Sequence, residues 1–190
     1  MKRRELSRQA VHILYGLFVS ALILALPLMF SAAILSALLV SGFLLSHYLK
    51  GGNHIPVISR FLHACEREYQ LIVRPGLGPL QFTLGSLLAL LLFGPWIAFL
   101  SVLVLTFGDS FSTLVGVFFG KNPLPWSKKK TFEGSLACFA ASFFVSSLFL
   151  PLTLSVIIAF SASLIESLST RFDDNILIPL AVGGLLWLLL

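Results

Sequence analysis

Long apolar runs dominate the chain, and short polar or proline-containing segments separate them. A straight membrane-spanning helix needs about 20 mostly apolar residues, so the pattern predicts seven spans, of which the third, fifth and seventh are short. Pro27, Pro95 and Pro151 lie in three predicted hairpins without charged residues, where each proline ends or restarts a helix. The predicted spans are roughly 10–27, 28–49, 79–94, 95–119, 134–150, 151–168 and 174–190.

The composition indicates a membrane protein. Hydrophobic residues make up 57% of the 190 residues, charged residues only 11%, and the mean hydropathy is +0.98. Soluble domains carry about 25% charged residues, and a soluble core of this size could not hide so much apolar surface. We therefore predict an all-α integral membrane bundle that forms a single domain over residues 1–190, with the first span retained as a helix.

The basic residues fix the predicted orientation. All thirteen lysines and arginines precede the first span or follow the second, fourth or sixth span, so seven spans place them on one face. The positive-inside rule assigns that face, and the N-terminus, to the cytoplasm. Since these residues flank apolar spans, the net charge of +5 does not indicate nucleic-acid binding.

Two longer segments lie on the predicted cytoplasmic face, 50–78 and 120–135. The middle of the first segment, 57–73, is predicted to form an amphipathic helix on the membrane surface. The second segment is rich in lysine and precedes the fifth span. It is the candidate site for a phosphorylated ligand.

Asp109 lies inside the apolar fourth span. A carboxylate at this depth is costly and usually functional, so metal ligation or proton abstraction is predicted, with a structural hydrogen bond as the alternative. Thr106, Asp109 and Thr113 fall on one helical stripe. Ser112 and Gly116 begin a small-residue pattern that continues to residue 120. This pattern indicates helix packing and permits a homodimer.

The segment around Lys130 combines positive charge with a predicted helix start. Thr131 could cap the fifth span, and the free amides of 132–134 would then form an anion site beside the lysines. Topology and attraction to anionic lipid are the alternative explanation for the lysines. Glu133 suits metal coordination, or it is an acid favoured by the helix dipole.

Further acids are predicted at the same membrane level. Glu166 lies near the end of the sixth span, and Asp174 and Asn175 begin the seventh, where either could cap the helix. Carboxylates that converge with lysines are typical of a magnesium-bound polyphosphate site. Arg8 and His12 form a further polar stripe in the first span, in which His12 is either a catalyst or a structural hydrogen-bond partner.

The order of these segments along the chain resembles the order found in the dolichol kinase family, which includes phytol kinases and CTP-dependent diacylglycerol kinases. The resemblance covers nearly the whole chain, although Arg8-Gln9 stands where such proteins often have Arg-Lys, and the chain matches only the core of the eukaryotic dolichol kinases. The matching segments are 5–12 (ELSRQAVH), Gly108-Asp109 with Gly116 and Gly120-Lys121, 130–135 (KTFEGS), Glu166, and Asp174-Asn175 with Pro179.

The resemblance implies that CTP donates its γ-phosphate, with Mg²⁺, to the hydroxyl of a membrane lipid alcohol. A polyprenol or dolichol-type substrate is the expectation, and a CTP:lipid-phosphate cytidylyltransferase and a non-enzymatic transporter or scaffold are the alternatives. The expected catalytic residues are Asp109, Lys130 and Glu133. The expected nucleotide contacts are Lys121, Lys130, Thr131, Glu133, Gly134, Ser135, Asp174 and Asn175, and the expected metal ligands are Asp109, Glu166 and Asp174.

Overall fold

A computed structural model describes residues 2–53, 55–56, 62, 74–168 and 173–190. Within these residues the chain forms six α-helices and one two-stranded hairpin, so the all-α prediction is confirmed. The amphipathic helix predicted at 57–73 lies, apart from Leu62, outside the described residues. The elements are α1 Lys2–Ala25, α2 Leu28–Lys50, α3 Leu77–Phe119, β1 Pro123–Leu124, β2 Ser127–Thr131, α4 Phe132–Ser147, α5 Leu152–Leu168 and α6 Asp174–Leu189.

Helix α3 contains the border between the third and fourth predicted spans. Its 43 residues are interrupted at Gly94, which has φ 81° and ψ 171° and is followed by Pro95. A side chain would strain this left-handed conformation, and the proline lacks an amide donor, so the helix breaks here. Helices α1, α2 and α3 are long and apolar enough to cross a membrane, whereas α4, α5 and α6 are shorter apolar helices. The count of seven spans remains a prediction.

Close packing around α3 depends on small residues. A Cβ at Gly16 would overlap the Thr106 side chain, and one at Gly108 would come within 2.7 Å of Ser142 Oγ. A Cβ at Gly134 would come within 2.9 Å of the Ser112 carbonyl oxygen. The small-residue pattern of α3 therefore packs against α4 of the same chain, as its helix-packing interpretation predicts.

The β1–β2 hairpin is an element that the sequence pattern did not indicate. Its strands pair antiparallel, with Leu124 opposite Ser127. Leu124 is buried, and the Trp126 indole nitrogen donates a 2.8 Å hydrogen bond to the carbonyl oxygen of Ser167. These two contacts hold the hairpin against the bundle at the end of α5, which places the following residues of β2 close to α5 and α6.

Candidate functional site around Lys130

Lys130, near the end of β2, joins the hairpin to two acidic residues. Its Nζ lies 3.2 Å from Glu166 Oε1 on α5 and 3.0 Å from Asp174 Oδ2 on α6. The same ammonium group donates to the backbone carbonyl of Glu166. The Glu166 side chain is only 6% exposed, so its carboxylate depends on protein partners rather than water. Three elements therefore meet at one positive charge.

Helix α3 supplies a further contact to this cluster. Ser112 Oγ donates a 2.8 Å hydrogen bond to Glu166 Oε1, which also contacts Lys130. Asp109 lies three residues earlier, on the same face of α3 as Ser112. Asp109 is also near enough to Asp174 for their charges to interact. Glu166 and Asp174 therefore meet at Lys130, whereas the described residues do not bring Asp109 into a three-residue metal cluster with them.

The start of α6 differs from the prediction. The helix is capped by Asp173, whose carboxylate accepts from the Asn175 amide at 3.0 Å and from Asn175 Nδ2 at 2.7 Å. The prediction that Asp174 or Asn175 caps the helix is wrong, because Asp173 has the extended backbone that a cap requires. The Asp174 side chain is thereby left to face Lys130. Among the described residues, Asp174 Oδ1 and Asn175 Oδ1 are buried and have no hydrogen-bond partner.

Thr131 caps α4, as predicted, and accepts a 3.2 Å hydrogen bond from the Gly134 amide. The Phe132 amide donates to the Asn122 carbonyl oxygen at 3.0 Å. Two of the three amides expected to bind phosphate are therefore used inside the protein. Ser135 Oγ is buried and lacks a hydrogen-bond partner in the described part of the chain, while its carbonyl oxygen accepts from Ser163.

Glu133 contacts the start of the hairpin. Its Oε1 accepts from Asn122 Nδ2 at 2.8 Å and from the Asn122 amide at 3.2 Å. Lys121, beside Asn122, is exposed to solvent, as are Lys128 and Lys129. The structure thus brings Glu133 to Asn122, whereas Glu166 and Asp174 are the acids that contact Lys130.

Asp109 faces the polar stripe of α1. Its Oδ2 lies 3.8 Å from His12 Nε2, a distance longer than a hydrogen bond, and both side chains are mostly buried. The His12 ring meets Phe82 edge-on at 5.2 Å between ring centroids. Arg8, one turn earlier, pairs with Glu5. His12 therefore belongs to the site through Asp109, whereas Arg8 has its own acidic partner.

Lys130 remains positively charged in this setting. Burial lowers the pKa of Lys130, but the nearby carboxylates of Asp174 and Glu166 act in the opposite direction and leave it above its ordinary value. A lysine that is charged at neutral pH among buried acids can hold an anionic phosphate or neutralise charge that develops on a leaving group.

Comparison with known proteins places this chain in a family. The chain is 31% identical over 186 residues to an uncharacterised protein of Methanocaldococcus jannaschii, and the match covers 95% of this chain and 91% of that protein. The chain belongs to the family of this archaeal protein. No protein-family model matches the chain, and no solved structure matches it either.

Other members of this group of relatives carry enzyme names. A probable chloroplastic phytol kinase of Triticum aestivum is 30% identical over 207 residues, which cover 94% of this chain and 65% of the wheat protein. Phytol kinase 1 of Arabidopsis thaliana is 27% identical over 205 residues, which cover 94% of this chain and 64% of the plant protein. The chain is therefore a homologue of proteins named phytol kinases and spans slightly less than two thirds of their length.

Proposed function

We propose that the protein is a CTP-dependent kinase that phosphorylates a polyprenol or dolichol-type isoprenoid alcohol in the membrane, giving a polyprenyl phosphate and CDP. The observation that carries this proposal is the Lys130 ammonium held between Glu166 and Asp174. Homologues named phytol kinases support a lipid alcohol kinase. The apolar helices support a site that takes its acceptor from the bilayer.

Lys130 would bind the CTP phosphates and neutralise the charge that develops on departing CDP. Phosphoryl transfer depends mainly on positioning and electrostatic stabilisation, which a fixed ammonium group supplies. The exposed Lys121 would attract the nucleotide from the cytoplasm, and Asn175 Oδ1 is available to accept a hydrogen bond from it. Thr131, Glu133 and Ser135 would shape this binding segment.

A magnesium ion would enter with the nucleotide. In the described part of the chain, no three acidic, histidine or cysteine side chains group closely enough to hold a metal alone. Magnesium is usually held by one or two carboxylates together with water and substrate phosphates. The buried, unpartnered Asp174 Oδ1 fits this requirement, with Asp109 and Glu166 as neighbouring carboxylates. When bound, the ion supplies neutralisation of phosphate charge.

Asp109 would accept the proton of the alcohol. In this step the alcohol oxygen forms a bond to the γ-phosphorus, the bond from that phosphorus to the β,γ-bridging oxygen breaks, and the electron pair leaves with CDP. The proton passes to the Asp109 carboxylate. His12, whose Nε2 lies 3.8 Å from Asp109 Oδ2, would be part of the surroundings of that carboxylate.

An assay with γ-labelled CTP tests this proposal. Purified protein in mixed micelles would receive magnesium, the label and, in parallel, polyprenol, phytol, geranylgeraniol or diacylglycerol, with γ-labelled ATP and UTP as competing donors. Label on an isoprenoid alcohol from CTP alone is expected. Label on diacylglycerol only, or from ATP in preference to CTP, would contradict the proposal. Pyrophosphate release with added phosphatidate would instead identify a cytidylyltransferase.

A further inference from the structure

A groove of about 420 Å³ lies between α2 and the first part of α3. Leucine and phenylalanine side chains form most of its walls, with Leu39 and Phe43 on α2 and Leu80 and Leu84 on α3. Val40 and Leu44, at its rim, are largely exposed on the apolar outer surface of the bundle. The groove is therefore accessible to an apolar chain that arrives from the surrounding lipid.

Two polar side chains lie at different depths in this groove. The Arg74 guanidinium lies over the Phe43 ring, 5.1 Å from its centroid, just before α3 begins. Gln81 lies four residues into α3, which is about 6 Å along the helix from Leu77. Gln81 Oε1 is buried, and no hydrogen-bond partner for it exists among the described residues. An unsatisfied buried oxygen is costly, so it favours a ligand that brings a donor.

The inner end of the groove adjoins the candidate site. Gly85 lies one turn after Gln81 on the same face of α3, and a Cβ there would overlap the carbonyl oxygen of Asn175, which follows Asp174. Phe82, next to Gln81, contacts the His12 ring, and His12 faces Asp109. Gln81 thus lines the groove next to Phe82, whose contact with His12 leads to Asp109, the acid proposed to accept the proton of the alcohol.

We infer that this groove holds the hydrocarbon chain of the isoprenoid alcohol and that Gln81 receives its hydroxyl end before transfer. This inference rests on the proposed kinase function. A single hydroxyl loses little hydration free energy when it enters an apolar groove, and it gains a hydrogen bond to the unpartnered Gln81 oxygen. A phospholipid fits less well, because a charged head group at Gln81 would have to leave water for a groove with mostly apolar walls.

Photo-crosslinking tests the occupant without requiring turnover. The full chain in micelles would be irradiated with a diazirine-bearing isoprenoid alcohol, with and without an excess of unlabelled isoprenoid alcohol or diacylglycerol. We expect labelling at Leu39, Phe43 or Leu84 that the isoprenoid alcohol suppresses and diacylglycerol does not. Labelling spread over the outer surface, unaffected by either competitor, would overturn the inference, as would suppression by diacylglycerol alone.

Two variants test separately how the hydrocarbon chain and the hydroxyl of the alcohol bind. Leu84→Trp fills the groove and is expected to raise KM for long-chain alcohols at least tenfold while a short isoprenol is little affected. Gln81→Leu removes the acceptor and is expected to raise KM for alcohols of every length, with kcat changed less than threefold. Phe160→Trp, on the exposed side of α5, is the matched control. Equal KM values for wild type, Leu84→Trp and Gln81→Leu would contradict the inference.

Failure of the kinase proposal and failure of the groove inference give different results. If no alcohol accepts phosphate but crosslinking remains specific and competed, the groove binds isoprenoid alcohols and the reaction is misassigned. If phosphate transfer occurs and Leu84→Trp behaves like Phe160→Trp, the kinase proposal stands and the chain binds elsewhere. Loss of turnover in Gln81→Leu with unchanged crosslinking at Leu84 would contradict only the role of Gln81.

Discussion

Lys130 Nζ lies 3.2 Å from Glu166 Oε1, although the two residues are 36 positions apart in the chain. This contact joins the hairpin that follows α3 to the end of α5. Asp174 completes the arrangement from α6 at 3.0 Å. The site is therefore assembled from segments that become neighbours only when the bundle packs, and its stability and the proposed activity share one charge.

Removing that charge is expected to affect both properties. In Lys130→Met, Glu166 and Asp174 lose their positive partner, and the free energy of unfolding should fall by about 2 to 3 kcal/mol, less than for a fully buried pair because Lys130 retains some exposure. Turnover should fall by about 100-fold or more. Thermal unfolding in detergent and the γ-labelled CTP assay measure the two effects. Lys130→Arg is the control that keeps the charge, and equal turnover in wild type and Lys130→Met would rule out a role for the ammonium.

The raised pKa of Lys130 predicts a stability loss at high pH. A lysine whose pKa is higher in the folded protein than in the unfolded chain contributes its stabilisation fully below the unfolded value, ordinarily 10.5, and loses it as pH rises through the folded value. The difference in melting temperature between wild type and Lys130→Met should thus shrink as pH rises above about 10. A difference that grows above that pH would contradict the sign of the shift.

Asp109→Asn tests the proton acceptor. The amide keeps the shape of the carboxylate but is not a base, so kcat should fall by about 100- to 10,000-fold. The 3.8 Å contact to His12 contributes little to stability at that distance, so the melting temperature should stay close to that of the wild type. Turnover within tenfold of wild type would remove Asp109 from the catalytic residues.

Two variants of Glu133 distinguish a role in anchoring Asn122 from a catalytic role. Glu133→Gln retains a side-chain oxygen that can accept from Asn122, so kcat/KM should fall less than about tenfold. Glu133→Ala removes the anchor and should weaken nucleotide affinity more than it lowers kcat. A 100-fold loss of kcat in Glu133→Gln would show that the carboxylate acts on the reacting groups, as the sequence suggested.

Gly85 and Gly78 form a matched pair on α3. A Cβ at Gly85 would overlap the Asn175 carbonyl oxygen and come within 3.0 Å of Ile176 Cα, whereas a Cβ at Gly78 would meet nothing within 4 Å. Gly85→Ala should therefore destabilise the protein by about 1 to 3 kcal/mol and lower turnover, because α6 and Asp174 must move. Gly78→Ala should leave both unchanged or slightly raise stability. Equal melting temperatures for the two variants would contradict the close α3–α6 contact.

Local patterns were enough to predict the helices and several of their ends. Apolar runs identified the helical segments, Pro95 marked the break that occurs at Gly94, and Thr131 was recognised as the cap of α4. Each of these features depends on a few neighbouring residues and on the missing amide donor of proline or the cap geometry. The candidate acids were also found, since carboxylates are rare in apolar helices.

Tertiary contacts decided the partners. The sequence predicts that Glu133, Glu166 and Asp174 lie at one membrane level, but it does not predict their positions around the bundle axis. The partners of Lys130 among these acids were therefore known only from the structure. The predicted cap of α6, Asp174 or Asn175, was also wrong. Asp173 and Asp174 have the same side chain, and only the backbone conformation shows that Asp173 is the cap. The sequence by itself determined a bundle of apolar helices and identified the candidate acids within it. Packing of those helices decided which charges meet. The hydrophobic effect that drives packing is non-directional, whereas each polar side-chain contact requires a particular distance and angle.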